Sequence, residues 1–304
     1  MLYPEARRAV ELAAGEAAMW EAGYDIAAAR EANRAFALSE EPEDVAEVTD
    51  LDADGVRVRL FRPGASTEVR AQRASKGPDP GVLVHIHGGG FVFHDVDVHD
   101  RPCRRLANRL RMAVLSVDYR LAPEHRFPAA PDDVDTVLQW LDHGGAELGL
   151  GGPAYVHGDS AGGNLALVAA LRHPGRFRAV VLHYPFLDPQ AGFASYELGV
   201  ASGFDPREAA WYWQQYAADA DLTDPDLAPL LSDRLAGLPP ILVTTAEHDP
   251  LRDEGEHLAA VVAEAGGQVT CTRYLGQIHG YWRHAAFPAS EQAILQTCAF
   301  LRSH

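Results

Sequence analysis

Short apolar runs rich in β-branched residues, at 82–86, 114–117, 155–157, 180–184 and 241–245, alternate with helical stretches at about 100–111, 131–143, 161–172 and 253–265. A compact apolar run without polar alternation reads as a strand covered on both faces. Strands of that kind separated by helix-length segments need crossover connections, so the chain is predicted to form an α/β fold with a mostly parallel central sheet and helices on both faces. With 47% hydrophobic residues in a chain of 304, there is ample apolar material for a large core, and 1–304 is read as one domain.

Two regions fall outside this alternation. Residues 5 to about 38 are rich in Ala, Glu and Arg and read as helix. After an Asp54-Gly55 turn, Val56, Val58 and Leu60 alternate with Arg57 and Arg59 as in a half-buried strand, which Pro63-Gly64 ends before a polar loop over 64–80. The interval from 184 to 241 is too long for a simple crossover and carries Trp211, Tyr212, Trp213 and Tyr216. It is therefore read as an insertion packed over one end of the sheet.

Charge and composition exclude several function classes. The net charge of −17 repels a phosphate backbone or an anionic membrane, so neither nucleic acid nor a membrane is expected as a partner. Three cysteines, Cys103, Cys271 and Cys298, have no zinc or redox spacing. No apolar run is long enough to span a bilayer, and the N-terminus lacks the apolar stretch of a signal peptide, which predicts a cytoplasmic protein.

The chemistry is concentrated in strand-end motifs. Gly158-Asp159-Ser160-Ala161-Gly162 has the form G-x-S-x-G and lies between the strand at 155–157 and a helical run, where a serine held in a strained turn becomes an exposed nucleophile. The flanking glycines let the backbone pass without Cβ clashes. His87-Gly88-Gly89-Gly90-Phe91 follows an earlier strand and exposes backbone N–H groups. Gly88 and Gly89, joined by the N–H of Ala161, are the expected oxyanion donors. A serine nucleophile also needs a base and a carboxylate, in the chain order Ser, Asp or Glu, His. Asp249 lies just beyond the strand at 241–245, and His279 beyond a last strand candidate near 269–274.

Taken together with Asp118-Tyr119-Arg120-Leu121-Ala122-Pro123-Glu124-His125 and Asp249-Pro250-Leu251-Arg252-Asp253-Glu254-Gly255, these motifs resemble, over most of the chain, the bacterial hormone-sensitive-lipase family of α/β-hydrolase esterases. The resemblance implies that Ser160 is the nucleophile, His279 the general base and acid, and Asp249 the residue that orients it. It implies a helical cap formed by about 1–45 and about 188–236, no cofactor, and small-molecule esters of short acids as substrates. A homodimer is compatible with it. A lactonase, an amidase, a deacetylase or a non-catalytic receptor on the same fold remain alternatives.

Two positions depart from the family pattern. His94 stands where relatives usually carry glycine, and His248 precedes the acid where an aromatic or small residue is common; both bear on pocket shape. Phe91, His94, Trp211 and Trp213 are the candidate substrate-binding residues, with cap packing the alternative for the two tryptophans. His94, Asp95, Asp97, His99 and Asp100 offer metal-ligand chemistry, against the plainer reading of a polar loop leading into a helix, and no metal is expected.

Overall fold

The computed structural model describes residues 1–15, 18–64, 81–201 and 204–304, the side chains of 198–201 excepted. Helices α1 (Pro4–Ala13) and α2 (Ile26–Ser39) precede strands β1 (Glu47–Ala53) and β2 (Val56–Arg62). Then follow β3 (Val82–Ile86), α3 (Asp100–Leu110), β4 (Ala113–Val117), α4 (Ala129–Gly144), β5 (Ala154–Asp159), α5 (Ala161–Arg172) and β6 (Phe177–His183). The chain closes with α6 (Pro206–Ala217), β7 (Ile241–His248), α7 (Arg252–Glu264), β8 (Val269–Ile278) and α8 (Pro288–Arg302). No helix among the described residues is long and apolar enough to cross a membrane.

The eight strands form one sheet in the order β1-β2-β4-β3-β5-β6-β7-β8. From β4 to β8 all neighbours are parallel, while β1 and β2 run antiparallel. This is the predicted doubly covered sheet with two additions. Strand β1, absent from the sequence reading, pairs with β2 through the Asp54-Gly55 turn, whose residues both take positive φ (54° and 96°) as a two-residue hairpin turn of this hand requires. The expected N-terminal helix is two helices: Gly23 turns left-handed (φ 86°), and Asp25 starts α2 afresh by accepting the Ala28 N–H. The polar loop placed at 64–80 lies, beyond Gly64, outside the described residues.

Alternation along the strands separates two cores. Val84, Ile86, Val156, Val180, Leu182 and Val243 face α4, α5 and α7, whereas Leu83, Val114, Ala179, Val181 and Leu242 face α3 and α8. The insertion between β6 and β7 contributes Trp213, Tyr216 and Leu227 to the first of these cores.

The second face carries an unexpected polar row across four adjacent strands. His99, at the start of α3, lies 3.1 Å from His85 on β3, and His85 lies 2.8 Å from His157 on β5. His157 then meets His183 on β6 edge to face, with ring centroids 4.9 Å apart. His183 bonds Thr244 on β7 at 2.6 Å, and Tyr281 donates to the same hydroxyl at 3.0 Å. All four imidazoles are buried, and desolvation holds His85, His99 and His157 well below the ordinary imidazole value and lowers His183 to about 3. Burial also holds His94 well down and lowers His284 to about 3.

A lowered folded-state value means that the unfolded chain takes up these protons first, once the pH drops below about 6.5. Stability from these groups is therefore complete above that pH and lost as the pH falls, each contributing a slope of up to about 1.4 kcal/mol per pH unit. Burial raises Asp118, Asp159 and Glu254, which offsets part of the loss once the pH nears the carboxyl range. Urea midpoints should be flat between about pH 8 and 7 and fall steeply from about 6.5 to 5. A midpoint unchanged across that range would mean that the row is charged, or solvated, in the folded protein.

Candidate active site

Three strand-end loops bring Ser160, His279 and Asp249 together. Ser160 follows β5 directly and takes φ 53° and ψ −122°, a left-handed conformation strained for a residue with a side chain. The turn is held at both ends: the Ser160 N–H donates to His183 O at 2.9 Å, and Phe186 N–H donates to Ser160 O at 3.0 Å. Its hydroxyl donates to His279 Nε2 at 2.9 Å, and His279 Nδ1–H donates to Asp249 Oδ2 at 2.8 Å. Asp249 is buried, and its second oxygen accepts the Leu251 N–H at 2.9 Å, which fixes the carboxylate plane. A histidine in this relay holds its Nε2 lone pair toward the serine, the arrangement that makes a hydroxyl nucleophilic.

Glycines permit the close approach that builds the turn. A Cβ on Gly162 would overlap the carbonyl oxygens of Ile86 and His87, and one on Gly158 would overlap that of Gly162. The first turn of α5 thus rests directly on the backbone of β3 and β5. Asn164 reinforces it by donating to the carbonyls of Phe186 and Leu227, each at 3.0 Å. Glu254, fully buried on α7, accepts the N–H groups of Leu187 (3.1 Å) and Asp188 (2.8 Å) and ties the acid's helix to the start of the insertion.

The glycine loop corrects one assignment. The Gly88 N–H donates to Asp159 Oδ1 at 3.0 Å and is therefore not available to a substrate oxygen. Gly89 (φ 123°) and Gly90 (φ 59°) keep their N–H groups uncommitted among the described residues, as does Ala161 at the start of α5. The Gly88 carbonyl is fixed as well, accepting from His87 Nδ1 at 2.9 Å and His94 Nδ1 at 3.2 Å, which sets the tautomer of both rings. Burial pushes the Asp159 carboxyl up, against the opposing pull of Arg283 and of the Gly88 N–H. Asp159 lay inside the serine motif, yet nothing in the sequence distinguished it from a surface turn residue.

The expected substrate-binding residues sort differently. Phe91 is fully buried and stacks on Tyr216 at 3.8 Å, and Trp213 packs against Phe186 at 4.5 Å, so both are core residues, Phe91 from the end of the glycine loop and Trp213 from the insertion. Trp211 turns to Tyr24 and Phe93, at 6.3 and 6.1 Å. Tyr212, one residue between them, is the ring that covers the glycine loop: a Cβ on Gly90 would collide with it. Phe204, also unanticipated, lies 4.9 Å from the His279 ring. Residues two apart on a helix point to different sides, which separates Trp211 from Trp213.

The candidate metal ligands of the 94–100 loop do not converge. Asp95 pairs with Arg34 at 2.6 Å, Asp97 with Arg59 at 2.8 Å, and Asp100 with Arg104 at 2.5 Å, while His99 turns inward. His85, His99 and Asp159 do place ligand-type atoms within 4.8 Å of one another. Those atoms are already engaged: His85 bonds His157 and His99, and Asp159 holds Gly88. His248 lies 3.3 Å from the N-terminal amine and 3.5 Å from Glu247.

A family model described as alpha/beta hydrolase fold matches residues 83–283. The carboxylic ester hydrolase LipN of Mycobacterium tuberculosis is 40% identical over 273 residues, covering 84% of this chain and 70% of that protein. The ethyl acetate hydrolase of Pseudomonas putida is 32% identical over 278 residues, covering 88% and 85%. Among solved structures, the hyperthermophilic esterase of the archaeon Pyrobaculum calidifontis superposes with a TM-score of 0.86 at 34% identity, covering 99% of this chain and 98% of that one. An ester hydrolase from the metagenome of Lake Arreo, Spain, gives 0.88 at 34% identity, covering 100% and 99%.

The tightness of the elbow is testable without an assay. Gly162→Ala must push α5 off β3 and should cost at least about 1–3 kcal/mol by overpacking, read from urea unfolding. An unchanged midpoint would show that the two backbones are not in contact.

Proposed function

The chain belongs to the α/β-hydrolase family, in its hormone-sensitive-lipase-like branch, and is a carboxylic ester hydrolase; from that premise we propose how its own residues carry out the reaction. The observation that carries the proposal is the relay from Ser160 through His279 to Asp249, at 2.9 and 2.8 Å. Ser160 Oγ attacks the ester carbonyl as His279 Nε2 takes its proton, and Asp249 stabilises the imidazolium that forms. The N–H groups of Gly89, Gly90 and Ala161 receive the oxyanion. Their carbonyl and strand anchors are fixed before the substrate arrives, so little reorganisation opposes the stabilisation. Collapse of the tetrahedral intermediate expels the alcohol, protonated by His279, and leaves an acyl-Ser160 ester. Water deprotonated by His279 then releases the acid and restores Ser160.

The substrate class follows from what covers the site. We assign α2 and the segment 188–236 to a cap, supported by the Tyr212 ring against Gly90 and by Phe204 beside His279. Aromatic closure this near the serine leaves limited depth for an acyl chain, which favours esters of short acids. We place the enzyme in the cytoplasm, in keeping with three unpaired cysteines.

Ser160→Ala should lower kcat on the order of 10⁶-fold with an unchanged circular dichroism spectrum, and Asp249→Asn by about 10⁴-fold. Substantial turnover by folded Ser160→Ala protein would end the assignment. An Asp249→Asn enzyme within about tenfold of the parent would transfer the orienting role to another carboxylate.

Acyl-chain dependence tests the cap. Each methylene that fits contributes roughly 0.8 kcal/mol, whereas one that must displace packed rings costs about 1–3 kcal/mol. p-Nitrophenyl esters should therefore be hydrolysed best between about C2 and C6. An optimum at about C12 or above, increased at a lipid interface, would mean that the insertion opens as a lid and that the substrates are long-chain esters.

A further inference from the structure

Arg283 differs from every other arginine of comparable burial. Among the described residues, the arginines that are not exposed have a carboxylate oxygen within 4.0 Å, from Arg30 on Glu124 to Arg252 on Asp253. One exception is Arg105, whose guanidinium donates to the carbonyls of Trp282 and Arg283 and to Ser290. The other is Arg283. It is half-buried, its Nη1 reaches the His94 ring at 3.5 Å from Nδ1 and 3.4 Å from Nε2, and the buried Asp159 carboxyl feels its charge from beyond 4.0 Å. Near-equal distances to both ring nitrogens put the cation over the face of the imidazole. Among the described residues, its Nε and Nη2 make no hydrogen bond.

Its position makes that vacancy relevant to the reaction. Arg283 Nη2 lies 3.4 Å from where a Cβ on Gly280 would stand, and Gly280 follows His279 directly. On the other side, His94 donates to Gly88 O, and its ring lies 3.0 Å from where a Cβ on Gly89 would stand. The guanidinium therefore sits between the loop that carries the base and the loop that carries the oxyanion donors. A half-buried planar fork of donors matches a carboxylate in shape and charge. At long range the net charge of −17 repels an anion, so a preference for one must come from a local cation such as this.

We propose that Arg283 binds a carboxylate group of the substrate, and that the esters hydrolysed best are short ones bearing a negative charge on the acyl or the alcohol side. The proposal rests on the esterase reading of the same site. A charge-assisted contact of this kind is worth on the order of tenfold to hundredfold in kcat/KM.

Two matched pairs test it, followed by pH-stat: monoethyl glutarate against ethyl valerate for the acyl side, and 3-acetoxypropionate against propyl acetate for the alcohol side. In the unmodified enzyme one anionic ester should exceed its neutral match by at least about tenfold, and added salt should shrink the ratio. Arg283→Gln should lower that ratio at least about tenfold, while Arg283→Lys, which keeps the charge but not the planar fork, retains only part of it. Equal or lower turnover of both anionic esters overturns the proposal, as does a salt-independent ratio or an Arg283→Gln enzyme that loses both members of a pair equally. Should Arg283→Gln fail to fold, the salt dependence of the unmodified enzyme and the lysine variant decide. Failure of the unmodified enzyme on all neutral esters, p-nitrophenyl acetate included, would instead count against the esterase reading itself.

Discussion

The hydrogen bond from the Gly88 N–H to the Asp159 carboxylate joins the two loops on which the site depends. Asp159 immediately precedes Ser160, and Gly88 immediately precedes the glycines whose N–H groups remain uncommitted among the described residues, so one contact sets the serine and those N–H groups in register. It works because both ends are immobilised by other means. Gly162 rests on β3, the Gly88 carbonyl is held by two imidazoles, and the Ser160 backbone is pinned to His183 and Phe186. A strained φ at Ser160 persists under such constraints, since relaxing it would break several hydrogen bonds at once.

A second set of contacts fixes what lies above. Arg30 on α2 donates to the carbonyls of Val92 and Ala122, each at 2.8 Å, and forks onto Glu124. Arg34 adds Asp95. Exposed ion pairs of this type are worth at most about 1 kcal/mol each. The carbonyl contacts matter more, because they satisfy backbone acceptors of the glycine loop and of the 118–125 segment that would otherwise face the helix unpaired. Helix α2 is thereby tied to the same loop that Asp159 anchors from below.

Much of this was legible in the sequence. Strands β3 to β7 announced themselves as compact apolar runs, and Ser160, Asp249 and His279 followed from strand-end placement. Strand β1 was missed because Glu47-Val48-Thr49-Asp50-Leu51-Asp52 lies at a sheet edge, where acidic residues serve as well as apolar ones. That the Gly88 N–H is taken by Asp159 could not be read: nothing in three consecutive glycines says which N–H an internal carboxylate will take. Phe91 and Trp213 were assigned to the substrate because aromatic residues near a site can line it or pack beneath it, and only burial distinguishes the two. The row from His99 to Thr244 was invisible for a different reason. Its members are scattered over five elements and meet only once the strands are in register.

The contact between Tyr212 and Gly90 has a consequence for how this enzyme can change over generations. Position 90 can accept no side chain while an aromatic ring stands at 212, and the left-handed backbone at Gly90 discourages one even when the ring is absent. The reverse does not hold, since shortening residue 212 leaves the glycine loop intact. The insertion is thus freer to vary at this contact than the loop beneath it. The loop beneath it is locked, and its history should run in one direction: the roof is remodelled first, and the glycines outlast every version of it.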